Sequence, residues 1–115
     1  MKIRRRMLPP GWYPDSERQV LKEIARWESA YASEPRSGPA TAGIVPHAGW
    51  LFSGDLAYKV IRGLKPADSV VVIGGHLHPH DHVKVIECDS FETPLGHLEN
   101  DFDLWKMVAR EIVLE

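Results

Sequence analysis

The run Val70-Val71-Val72-Ile73 limits the fold more than any other stretch of this chain. A Lys65-Pro66-Ala67-Asp68 turn precedes it, Ser69 opens it, and Gly74-Gly75 ends it. A half-exposed strand alternates apolar and polar residues. A run with no alternation past Ser69 reads as a strand covered on both faces, as in a parallel sheet. Ala40 to Val45 is a second short, mostly apolar segment, stopped by Pro46. Between the two, Ser53 is placed to cap a helix whose apolar face carries Ala57, Val60, Ile61 and Leu64. Strand, helix, strand at these lengths is a βαβ unit, which is right-handed almost without exception. The predicted class is α/β, a largely parallel sheet flanked by helices.

The flanks fit that class. Pro9, Pro10, Gly11 and Pro14 keep the first 14 residues from being helical throughout, and Trp12 and Tyr13 are aromatics suited to pinning this arm. Ser16 with Gln19 three residues on forms a capping-box pattern, and Val20, Leu21, Ile24, Trp27 and Tyr31 recur at helical spacing. Residues 33–39, with two prolines and Gly38, read as a loop. Val83 to Cys88 is a further strand candidate, followed by a polar loop through Pro94 and Gly96. Asn100 or Asp101 opens a last helix with Leu104, Trp105, Val108 and Ile112.

At 115 residues the chain suits a single domain, 1–115. A net charge of -2 argues against a general nucleic-acid binder. The basic run Lys2, Arg4, Arg5, Arg6 reads as a solvated arm. No apolar stretch approaches the roughly 20 residues that span a bilayer, and no secretory signal is legible, so no membrane role is expected. The one cysteine, Cys88, precludes an internal disulfide and fits a reducing cytoplasm. Leu114-Glu115 can be read as a cloning remnant.

Histidines carry the chemistry. Four of the six stand at 76, 78, 80 and 82, directly after Gly74-Gly75, and His47 comes two residues after the first predicted strand. In open α/β sheets, ligands collect at the carboxyl ends of the strands. Two parallel strands joined by one crossover send both following loops to one sheet edge. The topology therefore predicts His47 and His76 at a common rim. Pro79 and Asp81 break the alternation, so His80 and His82 read as solvated, and His97 as surface.

Four segments carry a resemblance. They are Gly11-Trp12-Tyr13-Pro14; Ile44-Val45-Pro46-His47-Ala48-Gly49-Trp50 with Ser53-Gly54; the apolar strand into Gly74-Gly75-His76; and Phe91-Glu92-Thr93-Pro94-Leu95-Gly96. In this order and spacing they resemble the N-terminal half of the Memo family, whose prokaryotic members are called AmmeMemoRadiSam system protein B. The resemblance implies a fold similar to class III extradiol, LigB-type, non-haem-iron dioxygenases. It implies His47 as one metal ligand and His76 or His78 as the second, since the commoner family form has Ser followed by paired histidines where this chain has Gly75-His76-Leu77-His78. Memo-like proteins are linked to iron or copper, to redox chemistry and, in animals, to phosphotyrosine-peptide binding. Family chains are about twice this long or more, and the resemblance places their remaining ligand in the half not matched here. The chain then reads as the N-terminal half of the usual domain or as a short relative.

Imidazole suits Fe, Cu, Zn and Ni alike, so two histidines do not choose the metal; Fe(II) or Cu is the expectation the resemblance adds. An oxygenase or hydrolase site needs at least one further protein donor. Glu92, Asp81, His78, His80 and Cys88 are the third-ligand options in sequence. Glu92 suits either a position behind a ligand histidine or a plain surface one, and Trp50 either a pocket wall or the core. Cys88 reads as a small buried hydrophobe. Three roles remain open: a dioxygenase-like metal domain, a non-catalytic module that binds a peptide or an AmmeMemoRadiSam partner, and an incomplete domain that covers its apolar surface as a homo-oligomer.

Overall fold

The computed structural model describes residues 1–36 and 38–112; Ser37 of the predicted 33–39 loop and the Leu114-Glu115 pair lie outside them. The element order is β1 (Ile3–Arg4), α1 (Glu17–Tyr31), α2 (Trp50–Ile61), β2 (Ser90–Thr93), β3 (Gly96–Glu99) and α3 (Phe102–Glu111). The protein is α/β. Its described residues form two compact units, 7–66 and 1–6 with 67 onward.

The 7–66 unit is a helix pair. Ser16 caps α1, its Oγ accepting from the Gln19 N–H at 3.3 Å, as the sequence pattern predicts. The second helix corrects the prediction. It begins at Trp50, not after Ser53, with Gly49 as its cap residue at φ 97° and no side-chain cap bond. Only glycine adopts that φ at little cost, and it turns the chain abruptly into the helix. Ser53 is buried inside the first turn, where its hydroxyl donates to the Gly49 carbonyl at 3.0 Å. Trp27 fills the seam between the helices. Its ring lies 4.9 Å from that of Trp50 and 5.9 Å from that of Tyr58. Gly54 permits this approach, since a Cβ there would stand 2.8 Å from Trp27 Cη2. The arm is pinned as predicted, though through backbone: the Trp50 N–H donates to the Trp12 carbonyl at 2.8 Å.

The other unit carries the sheet, which is mixed rather than largely parallel. β1 pairs parallel with β2, and β2 pairs antiparallel with β3, in the order β1-β2-β3. The predicted polar loop at Pro94 is the turn of this hairpin. Thr93 Oγ1 donates to the Gly96 carbonyl at 2.8 Å and accepts from the Leu95 N–H at 3.1 Å, and Gly96 takes φ 117°. Asp101, not Asn100, caps α3, accepting from the Leu104 N–H at 3.0 Å. Asn100 instead donates from Nδ2 to the Cys88 carbonyl at 2.9 Å.

The three strands expected at 40–45, 69–73 and 83–88 are not part of this sheet. Only Ala40 enters a bridge, parallel to Leu64. A strand is defined by its neighbours, and 40–45 and 69–73 lack them beyond that bridge among the described residues: Ile44 is 94% exposed and Ile73 92%. Among the described residues, the buried apolar ones are Val20, Trp27 and Cys88. The chain exposes 9740 Å². Two separate compact bodies, each of half the 13.0 kDa mass, would expose about 7,700 Å² in all. Roughly 2,000 Å² is left uncovered on that comparison.

Candidate functional site

His47 lies in the 7–66 unit, exposed, in the Pro46-His47-Ala48-Gly49 turn that leads into α2. The early start of that helix puts the imidazole-bearing residue three positions before its first residue. His76 belongs to the other unit, exposed, directly after Gly75 at φ 125°. His76 directly follows a positive-φ glycine and His47 comes two residues before one, Gly49. His78 opens a turn, its N–H donating to Asp81 Oδ2 at 3.3 Å while the Asp81 N–H donates to its carbonyl at 2.9 Å. The Asp81 carboxylate also faces Lys84 Nζ at 3.9 Å. His80 and His82 are exposed, and His97 is exposed on β3, opposite Glu92 in the register.

Trp50 and Glu92 are committed to other contacts. Trp50 stacks on Trp27, and its Nε1 is enclosed without a hydrogen-bond partner among the described residues. The Glu92 carboxylate ties the basic arm to the sheet: the Arg6 N–H donates to Oε2 at 3.0 Å and Arg5 Nη1 lies 3.3 Å from Oε1. The basic run is therefore partly strand β1, held by its acidic neighbour. Cys88 is buried, as expected of a small hydrophobe. Among the described residues, no three His, Cys, Asp or Glu side chains gather in a way that could hold a metal ion. A hydrolytic zinc or non-haem iron site uses three protein donors. No such set is assembled among the described residues.

The Arg6 backbone N–H above all, with the Arg5 charge, holds the Glu92 carboxyl below its usual range. Asp101 is likewise lowered, first by the Leu104 N–H and then by the Ser69 hydroxyl. Both groups bind a proton less readily folded than unfolded. Their contribution is complete above the unfolded carboxyl values of about 4 and is lost as pH falls through the lower folded ones. Acid is expected to release the arm and the α3 cap below about pH 4. Hydrogen exchange at Arg6 and Leu104 across an acid series checks this, and Glu92→Gln should shift only the Arg6 transition.

Sequence reasoning did not find a groove in the 7–66 unit, of about 1060 Å³. The arm, α1 and α2 line it, with Tyr13, Trp27 and Trp50 supplying aromatic surface and Lys22, Arg26 and Asp55 charge. The aromatic density of these segments was its only signal in sequence.

The fold and site define an α/β protein with a small mixed sheet, two histidine loops that contain positive-φ glycines, and exposed apolar segments outside the sheet. The profile of the Memo-like protein family matches residues 4–114, and the chain belongs to that family. A MEMO1 family protein of Pyrobaculum arsenaticum is 29% identical over 96% of this chain and 43% of its own length. One from Pyrococcus furiosus is 31% identical over 93% of this chain and 38% of its own. One from Thermococcus kodakarensis is 33% identical over 87% and 35% respectively. This chain therefore spans about two-fifths of the length of the curated relatives it matches. No solved structure matches it. Among the described residues, no helix is long and apolar enough to cross a membrane.

Proposed function

We propose that this chain contributes the histidine ligands of a Memo-type metal centre, with His47 one ligand and His76 the second in preference to His78. The observation that carries the reading is the family match together with the setting of the two histidines, each exposed on a loop turned by a positive-φ glycine. His76 is preferred because it directly follows the positive-φ Gly75 at the end of the apolar run. Fe(II) or Cu is the metal, and the LigB-type, largely parallel sheet is the arrangement of the complete domain. The chemistry of that complete domain is redox or oxygenase chemistry of the dioxygenase type, in the cytoplasm. The remaining donors come from outside the set present here, so this chain alone binds metal without turning over a substrate.

Elemental analysis tests the reading on a His80→Ala/His82→Ala background, which removes adventitious sites. About one Fe(II) or Cu(II) per chain is expected, with the metal content falling well below one in His47→Ala and in His76→Ala. Unchanged metal content in both variants contradicts it.

A second reading, a non-catalytic peptide- or protein-binding module of the AmmeMemoRadiSam system, draws support from the aromatic and charged groove of the 7–66 unit. A complex with a system partner, lost in Tyr13→Ala and kept in His47→Ala, would favour it over the metal reading.

A further inference from the structure

Val70, Val71, Val72 and Ile73 are 73%, 56%, 88% and 92% exposed. In a strand, residues 70 and 72 face one way and 71 and 73 the other, so this run is bare on both faces. No described ladder includes its backbone. Its start is nonetheless fixed, since the Ser69 hydroxyl donates to the Asp101 carboxylate at the cap of α3. That helix buries none of its own residues. Independently, in the 7–66 unit, the predicted strand 40–45 leaves Ile44 94% exposed.

Soluble proteins rarely leave contiguous apolar, β-branched surface uncovered, because it is a template for pairing with another chain. The exposures decide what kind of partner fits. A second copy pairing through the same strand would satisfy one edge and leave both faces wet. Covering both faces takes neighbouring strands in the sheet and further layers above and below it. A polypeptide able to do this must be larger than one strand or one helix. The relatives possess such a length of chain: in the three compared, 57% or more of each lies outside the part this chain spans.

The geometry points to residues 69–73 as a docking strand for a polypeptide equivalent to the unmatched remainder of a Memo relative, which adds a strand at its edge and packs on both its faces. This does not depend on the metal reading, and its test contains no metal. The full chain is co-expressed in turn with the unmatched remainders of the Pyrobaculum, Pyrococcus and Thermococcus relatives, so that each remainder folds in its presence. Light scattering should give a one-to-one complex with at least one of them, and amide exchange at 70–73 should slow by about 100-fold or more in it. Val72→Lys should weaken that complex at least tenfold while leaving the circular dichroism of the free chain unchanged, since Val72 is bare in the free chain. No complex with any of the three overturns the proposal. So does a complex in which 70–73 still exchange freely, or protection of 70–73 in the chain alone through a homodimer, which would make a second copy the occupant.

Discussion

Trp27→Ala is expected to unfold the 7–66 unit. Trp27 and Val20 are its buried apolar side chains among the described residues, and Trp27 alone touches the rings of both Trp50 and Tyr58. Truncating a buried Trp to Ala costs about 3–5 kcal/mol. A unit of 60 residues holds only about 3–9 kcal/mol in all. The loss is therefore comparable with the whole stability of the unit. Amide exchange should show protection in α1 and α2 collapsing, while Trp27→Phe, which keeps most of the ring contact, retains it. Persisting protection in Trp27→Ala would mean that the helix pair is held by something other than this ring.

Gly38→Ala should be the next most damaging single change. Gly38 has φ +132°, and a Cβ there would lie 2.3 Å from the Gly63 carbonyl oxygen and 2.7 Å from the Ala40 nitrogen, both backbone atoms. Neither can swing aside as a side chain can. Those two atoms also share a hydrogen bond, Ala40 N–H to Gly63 O at 3.0 Å, which with Lys65 N–H to Ala40 O at 2.8 Å sets the bridge between Ala40 and Leu64. Gly11→Ala separates the two costs. Gly11 has φ +96° but open space around its Cβ position, so it reports backbone strain alone, about 1–2 kcal/mol. Gly38→Ala adds an overpacking cost of about 1–3 kcal/mol. Urea midpoints should rank wild type above Gly11→Ala above Gly38→Ala. Equal midpoints for the two variants would show that the Gly63 carbonyl relaxes freely.

The helices were legible because their signals are local. Ser16 and Asp101 announce caps within three residues of the N–H groups they serve, and the apolar spacing of α1 needs no partner to be read. The start of α2 was missed because a glycine cap has no side-chain signature, and Ser53 imitates one. The strands failed for the opposite reason. Val70–Ile73 has the composition of an interior strand, but pairing is a property of its neighbours, and none is supplied among the described residues. The β2–β3 hairpin escaped because its Pro94-Leu95 turn lacks the Asn-Gly type of signal, and its strands are only four residues long. At the candidate site, sequence located the two histidine loops and their glycines. It also left Glu92 and Trp50 open between two roles. The contacts to Arg5 and Arg6, and the stack on Trp27, come from folding partners distant in sequence.

The central proposal is that the imidazoles of residues 47 and 76 bind the same ion. X-ray absorption on the copper-loaded chain, in the His80→Ala/His82→Ala background, tests it most directly by counting imidazoles in the coordination shell. Two per copper, reduced to one by His47→Ala and likewise by His76→Ala, is the predicted result. A shell whose imidazole count is the same with either residue replaced would contradict it.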